Sequence, residues 1–337
     1  MVKLHSSEAA VTKEAPRGAL DGGSGPGDLG FVCPRDQEPL KLAGDGADYT
    51  CGRCGKLYPI QQGVVRFLDE SDSFYESHYA DWTPIKVVPR SERWHHAWRL
   101  WFIPYVWSVR KHVDVGSRVV EVGCGSGVAY FGERYQMVGV DIAFSSLTKV
   151  VDLYGCCLQV DLRDSIPLPS ESVDAVVNSF VWEHIRPEDK PTLLGDWHRI
   201  LRPKGKLVLV YDVETENPLI RRLKRKDAAL YERLYIEDEH HYGYQRPEEN
   251  QALFEANGFR VLENHGLGKT WIQSPREYVR IGRWPGWPQR LARVGLAFSN
   301  PPWLYPYTAL VRGVDEFVGP LLPMSWSRFV VSVCERI

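Results

Sequence analysis

The chain has no excess of positive charge: 41 basic residues stand against 43 acidic ones over 337 residues, a net charge of -2. That balance excludes the electrostatic signature of a dedicated nucleic-acid binder, and no nucleic-acid partner is expected. It also lacks any run of 18 uncharged apolar residues. The longest candidate, Trp303 to Pro323, is broken by Arg312, Asp315, Glu316 and several prolines, so no transmembrane helix is expected. Met1 to Ala15 has no apolar core of a secretory signal, and the seven cysteines, with a C-x-x-C and the adjacent Cys156-Cys157, do not form a disulfide framework. The expected location is the reducing cytoplasm.

What is present begins with Arg118-Val-Val-Glu-Val-Gly-Cys-Gly-Ser-Gly127. Val119, Val120 and Val122 suit a strand buried on both faces. Gly123, Gly125 and Gly127 then remove side chains at alternate positions, which lets the backbone turn sharply and a ligand lie against it. A second apolar run, Met137 to Val140, ends in Asp141. Its distance from Glu121, about 20 residues, is where a nucleotide fold sets a carboxylate against ribose hydroxyls. Strand and helix patterns alternate from there, as a parallel sheet requires.

The pattern E-x-G-x-G-x-G resembles motif I of class I S-adenosylmethionine-dependent methyltransferases, of the type 11 kind, rather than the G-x-G-x-x-G of dinucleotide enzymes. Later segments extend the resemblance over residues 116 to about 265. They include Ile166-Pro-Leu-Pro-Ser-Glu-Ser-Val-Asp174, Phe180-Val-Trp-Glu-His-Ile185, Arg199-Ile-Leu-Arg-Pro-Lys-Gly205 and Pro247 to Phe259. The resemblance implies a Rossmann-like, seven-stranded, doubly wound α/β sheet with S-adenosylmethionine as cofactor. It assigns cofactor binding to Glu121, Gly123, Cys124, Gly125, Gly127, Asp141, Ile142, Asp161, Leu162 and Asn178. Glu121 suits the ammonium group of the cofactor, directly or through water, and Asp161 with Leu162 suits the adenine.

Before this core, Cys33-Pro-Arg-Asp36 and Cys51-Gly-Arg-Cys54 are two knuckles around a short polar loop, the layout of a zinc ribbon. With the following Tyr58-Pro-Ile60 they resemble the small zinc-ribbon family of methyltransferase activator subunits. Asp36 stands where that family has a cysteine; zinc accepts an aspartate oxygen, so the expected ligands are Cys33, Asp36, Cys51 and Cys54. A ribbon that has lost its metal is the alternative.

The domain plan is then a disordered tail over 1-30, a zinc-ribbon-like unit over 31-69, an aromatic helical cover over 70-115, and a methyltransferase domain over 116-337. A helical insertion, 266-325, precedes the last strand. In the cover, Trp94, Trp98, Trp101 and Tyr105 fall on one helical face, and Phe74, Tyr75 and Tyr79 start the segment. His184, just past the fourth strand, and His240-His241 are the candidate catalytic bases for an acceptor hydroxyl. The aromatic cover and insertion suit a small apolar or aromatic methyl acceptor, of the kind met in specialised metabolism. A homodimer interface is the other reading of the insertion. Two rival functions remain open: an rRNA or tRNA methyltransferase using the ribbon and the basic run Arg221 to Lys226, and a non-catalytic cofactor-binding partner subunit.

Overall fold

The valine-rich runs pair side by side because their residues, apolar on both faces, are buried only between helices. A computed structural model describes residues 30–44, 46–68, 73–78, 102–273, 275–284 and 303–337, with residues 293, 295, 297 and 298. Its strands are β1 Leu40–Leu42, β2 Asp48–Cys51, β3 Leu57–Gln61, β4 Val64–Arg66, β5 Arg118–Val122, β6 Gln136–Asp141, β7 Cys156–Gln159, β8 Val173–Ser179, β9 Leu201–Asp212, β10 Phe259–Leu267 and β11 Phe329–Arg336. The helices used below are α1 Ser73–His78, α2 Phe102–His112, α3 Ala129–Gly132, α4 Phe144–Tyr154, α5 Lys190–Ile200, α6 Pro218–Lys226, α7 Ala228–Tyr231, α8 Pro247–Ala256, α9 Pro275–Ile281 and α10 Leu304–Phe317.

Seven of the strands form the expected Rossmann-like sheet, in the order β7-β6-β5-β8-β9-β11-β10. β5 is parallel to β6 and β8, and β11 is antiparallel to both β9 and β10. One apolar layer lies under α5 and α8, with Leu194, Trp197 and Phe254 in its centre; the other lies under α2 and α4, with Tyr105, Phe131 and Leu147. Of the expected aromatic face, Tyr105 is fully buried on α2, whereas Trp94, Trp98 and Trp101 lie outside the described residues, as do residues 1–29.

The sheet does not stop at β7. β4 pairs with it in parallel, Val64 opposite Cys157 and Arg66 opposite Gln159, and β3, β2 and β1 continue outward. The reason is physical: β7 would otherwise present an open row of backbone N–H and C=O groups. Val64 and Val65 are buried there, and the Phe67 N–H donates to Gln159 O at 2.9 Å.

At the other end, α9 and Trp284 pack on α6, α7 and the π-helical turn Glu232–Glu237, through Ile220, Leu223, Tyr231, Tyr235 and Ile281. Among the insertion's aromatics, Trp284 is buried, while Trp271 and Trp303 are exposed. The basic run expected to favour RNA is the α6 helix, and its Arg221 and Lys224 face Glu216 and Glu214. Among the described residues no helix is long and apolar enough to cross a membrane.

Candidate active site

Gly123, Gly125 and Gly127 all adopt left-handed backbone, with φ of 63°, 49° and 72°. At two of them the space is closed as well: a Cβ would lie 2.2 Å from Val181 Cγ2 at Gly123, and 2.2 Å from Val150 Cγ2 at Gly127. The loop after β5 thus packs directly against the segment that follows β8. Asp141 ties it to β6. Its carboxylate accepts from Gly125 N–H at 2.7 Å and Ala143 N–H at 2.9 Å. A carboxylate has about four acceptor positions, which these backbone donors do not exhaust. Burial pushes the Asp141 carboxyl up against the pull of these hydrogen bonds.

Glu121 lies at the base of the loop. It is buried beneath the loop at 1% exposure and accepts from the Tyr154 hydroxyl, which itself accepts from Val128 N–H at 2.7 Å. Burial pushes its carboxyl up to about 8. The acid is therefore held beneath the loop by Tyr154. Cys124 is also buried, its thiol pushed well up by burial.

Around the loop, Asn178 donates from Nδ2 to Val122 O at 2.8 Å, and its buried Oδ1 has no hydrogen-bond partner among the described residues. Ile142 O accepts from Gln159 Nε2 at 3.0 Å, and Gln159 Oε1 accepts from Arg66 Nε at 2.7 Å, so the strand β4 reaches the site through one glutamine. Glu76 of α1 caps the start of α4, accepting from the N–H groups of Phe144 and Ser145. Asp161 is half-buried and ion-paired with Arg163; burial opposes ionisation there, but the arginine holds its carboxyl below the usual range. Leu162 and Arg163 border a groove of about 310 Å³ shared with Gln37, Leu193 and Asp196, on the α5 side of the sheet.

The three candidate bases separate into two kinds. His184 and His241 stack edge to face at 4.9 Å, whereas His240, with φ of 57°, offers its backbone: its carbonyl accepts from His184 Nδ1 at 3.0 Å. His241 Nδ1 pairs with the Tyr244 hydroxyl at 2.9 Å, and burial with His184 beside it pushes the ring down to about 3, so it is neutral at ordinary pH. Two groups absent from the sequence reading complete this cluster. Glu183 is 1% exposed and its carboxyl faces that of Asp212, at the end of β9. Burial and this like-charged neighbour raise Glu183 well above the carboxylate range, while burial takes Asp212 to about 6. Arg328 lies close by, paired with Glu277 of α9 at 3.1 Å, and Tyr235 donates to the same carboxylate.

What assembles the cluster is Lys190. It has no solvent exposure, donates to Gly243 O at 2.7 Å and Gln245 Oε1 at 2.8 Å, and lies 4.6 Å over the Trp182 ring. No spacing rule in the sequence points to that lysine, and only its adjacency to His184 could have drawn attention to Glu183.

In the N-terminal strands the four expected ligands converge. The donor atoms of Cys33, Asp36, Cys51 and Cys54 lie within 4.8 Å of one another, with Cys33 Sγ 3.7 Å from Cys54 Sγ and Cys51 Sγ 3.5 Å from Asp36 Oδ1. Zinc–sulfur bonds of about 2.3 Å in a tetrahedron set sulfurs about 3.8 Å apart, so the donor set fits that ion.

Residues 120–209 match the family model described as Methyltransferase domain. A stretch of 115 residues is 34% identical to a probable S-adenosylmethionine-dependent methyltransferase of Mycolicibacterium smegmatis, covering 32% of this chain and 40% of that protein. The chain thus spans less than half the length of that curated relative. Among solved structures, it is similar to geranyl diphosphate C-methyltransferase of Streptomyces coelicolor, at 12% identity over 80% of this chain and 100% of that one, TM-score 0.49. It is also similar to the YcgJ protein of Bacillus subtilis, at 18% identity over 72% and 98%, TM-score 0.44. Residues 120–209 thus match a methyltransferase-domain model, and the chain is similar over 115 residues to a probable S-adenosylmethionine-dependent methyltransferase.

Proposed function

We propose that the chain transfers the methyl group of S-adenosylmethionine to a small molecule bound at the Glu183–His184–His241 cluster. The observation that carries this reading is the contact of Val181 with Gly123, which sets the cluster beside the glycine loop at the carboxyl edge of β5 and β8. That edge is where open α/β sheets bind ligands. The cofactor supplies a methyl group activated by sulfonium, so the chain's task is alignment and exclusion of water. Gly123 to Gly127 let backbone approach the ligand, the open acceptor positions of Asp141 suit ribose hydroxyls, and Asp161 suits the adenine. His184 holds its proton on Nδ1 toward His240 O, which places a lone pair on Nε2, fit to accept a proton or to bind a ligand. The insertion contributes through α9, whose Glu277 anchors Arg328 beside the cluster.

The same reading gives the N-terminal cysteines one zinc ion, supported by the fit of the donor spacing. It places this unit as a buttress: Arg66 and Gln159 carry its position to Ile142, next to Asp141.

Calorimetry with S-adenosylmethionine tests the first part. Asp141→Ala removes a charge-assisted acceptor worth roughly 1.5–3 kcal/mol, an expected loss of about 10- to 150-fold in affinity. Unaltered affinity refutes the assignment. For the second part, metal analysis should give one zinc per chain and lose it in Cys51→Ser.

A further inference from the structure

The cluster of Glu183, His184 and His241 has the composition of a metal site that cofactor binding leaves unexplained. One donor atom from each lies within 4.8 Å of the other two. They come from two chain segments: the turn Trp182–His184 after β8, and the loop between the π-helical turn and α8. Gly243 N–H donates to Glu183 O at 2.7 Å and seals the junction.

Glu183 supplies an independent sign. Its side chain is buried, and among the described residues neither carboxyl oxygen has a well-formed hydrogen bond, the nearest groups being its own backbone N–H and the backbone and carboxyl of Asp212. The group facing it is a second carboxyl, Asp212. Burying a carboxyl without well-formed hydrogen bonds is costly, and a cation between two carboxyls removes that cost for both. The imidazoles give a third sign. His184 Nδ1 is held by His240 O and His241 Nδ1 by the Tyr244 hydroxyl. Metal-ligating histidines are held in this way, with one ring nitrogen tied to an outer oxygen and the other presented to the metal.

We propose that Glu183, His184 and His241 bind one divalent transition-metal cation, with Asp212 as the carboxylate behind them. Two imidazoles and one carboxylate select manganese, iron, cobalt, nickel or zinc over magnesium or calcium. Resting on the methyl-transfer reading, the site also narrows the acceptor. Three protein donors leave coordination positions for an oxygen-bearing molecule, a hydroxyl or phenol, and a cation makes that oxygen's proton easier to lose.

The test is a manganese titration of the full chain loaded with one equivalent of zinc, read by loss of the free-ion electron paramagnetic resonance signal. One manganese site is expected. Tyr244→Phe should weaken it about 10- to 100-fold through the loss of the outer contact, and Glu183→Gln by more than about 100-fold. Because Glu183→Gln acts in a packed interior, cobalt is titrated into the unaltered, zinc-loaded chain in parallel. New visible bands free of thiolate charge transfer support the site. Manganese binding that is absent, or unchanged in both variants, overturns it, as do cobalt bands that carry only thiolate charge transfer. Calorimetry with S-adenosylmethionine on the same protein separates the two readings. Cofactor binding without manganese binding sinks this inference alone, whereas manganese binding without cofactor binding sinks the methyl-transfer reading and leaves the metal site standing.

Discussion

Glu121→Gln is the sharpest probe of the loop, because that acid is buried and bonded to Tyr154 while the motif assigns it to the cofactor. Glutamine keeps the shape and can still accept from Tyr154. In the unfolded chain the carboxyl ionises near its ordinary 4.5; in the fold, burial first and Asp141 second push it up to about 8. Between those values the folded protein keeps a proton that the unfolded chain has released. Stability therefore falls as pH rises through the window, by at most about 1.4 kcal/mol per pH unit and with an upper bound of about 5 kcal/mol over the whole of it. Asp141, Glu183 and Asp212 are raised in the same direction but are present in both proteins, so the difference isolates Glu121. Urea unfolding at pH 5 and pH 8 should show the unaltered chain losing several kcal/mol more than Glu121→Gln, of order 3–4. Cofactor affinity near neutral pH should stay within about threefold, less than the roughly 1.4 kcal/mol that marks a tenfold change. Parallel stability curves would refute the buried, protonated acid, and a large loss of affinity would return the carboxyl to the ammonium group.

Two further outcomes test the packing. Gly123→Ala combines left-handed backbone, roughly 1–2 kcal/mol, with overlap on Val181, roughly 1–3 kcal/mol; Val181→Ala in the same chain should restore the second part only, so unfolding midpoints that do not recover refute the contact. Lys190→Met should leave cofactor affinity intact but free residues 243–245, seen as faster proteolysis of that loop; the unaltered rate of cleavage would show that the lysine is not the tether.

Much of the fold was legible because its causes are local. Valine runs, Gly123 to Gly127 and Asp141 each state their role in a few neighbouring residues, and the strands formed where the periodicity put them. The extension of the sheet through β4 was not legible, since Val64-Val65-Arg66 reads as well in a free ribbon as on the edge of β7. The pairing depends on an exposed edge some 90 residues away (Val64 opposite Cys157), which no window along the chain reveals. Likewise Glu121 carries a motif signature, but its burial depends on Tyr154, far along the chain at the end of α4. Of the histidines, the sequence brought forward His184 first and the pair His240-His241 second. Only the fold distinguishes a ring from a carbonyl: His240 has positive φ, which turns its backbone, and not its imidazole, toward His184. Asp212 and Lys190 had no signal at all, because a single acid or lysine in a strand or helix reads as solvent-facing.

The positions of these buried groups give the site a mechanical logic. A Cβ on Gly243 would lie 2.0 Å from Ile185 O, so the 240–245 loop rests directly on the turn after β8. Gly243 N–H, Lys190 and His184 then fasten the two segments at three points, all hydrogen bonds of 2.7 to 3.0 Å. The turn in its own direction presses Val181 against Gly123. Interiors this closely packed transmit displacement instead of absorbing it. A shift of the glycine loop is therefore expected to reach His184 and His241 through Val181. The lysine that no motif marks is one of the three points that hold the loop in place.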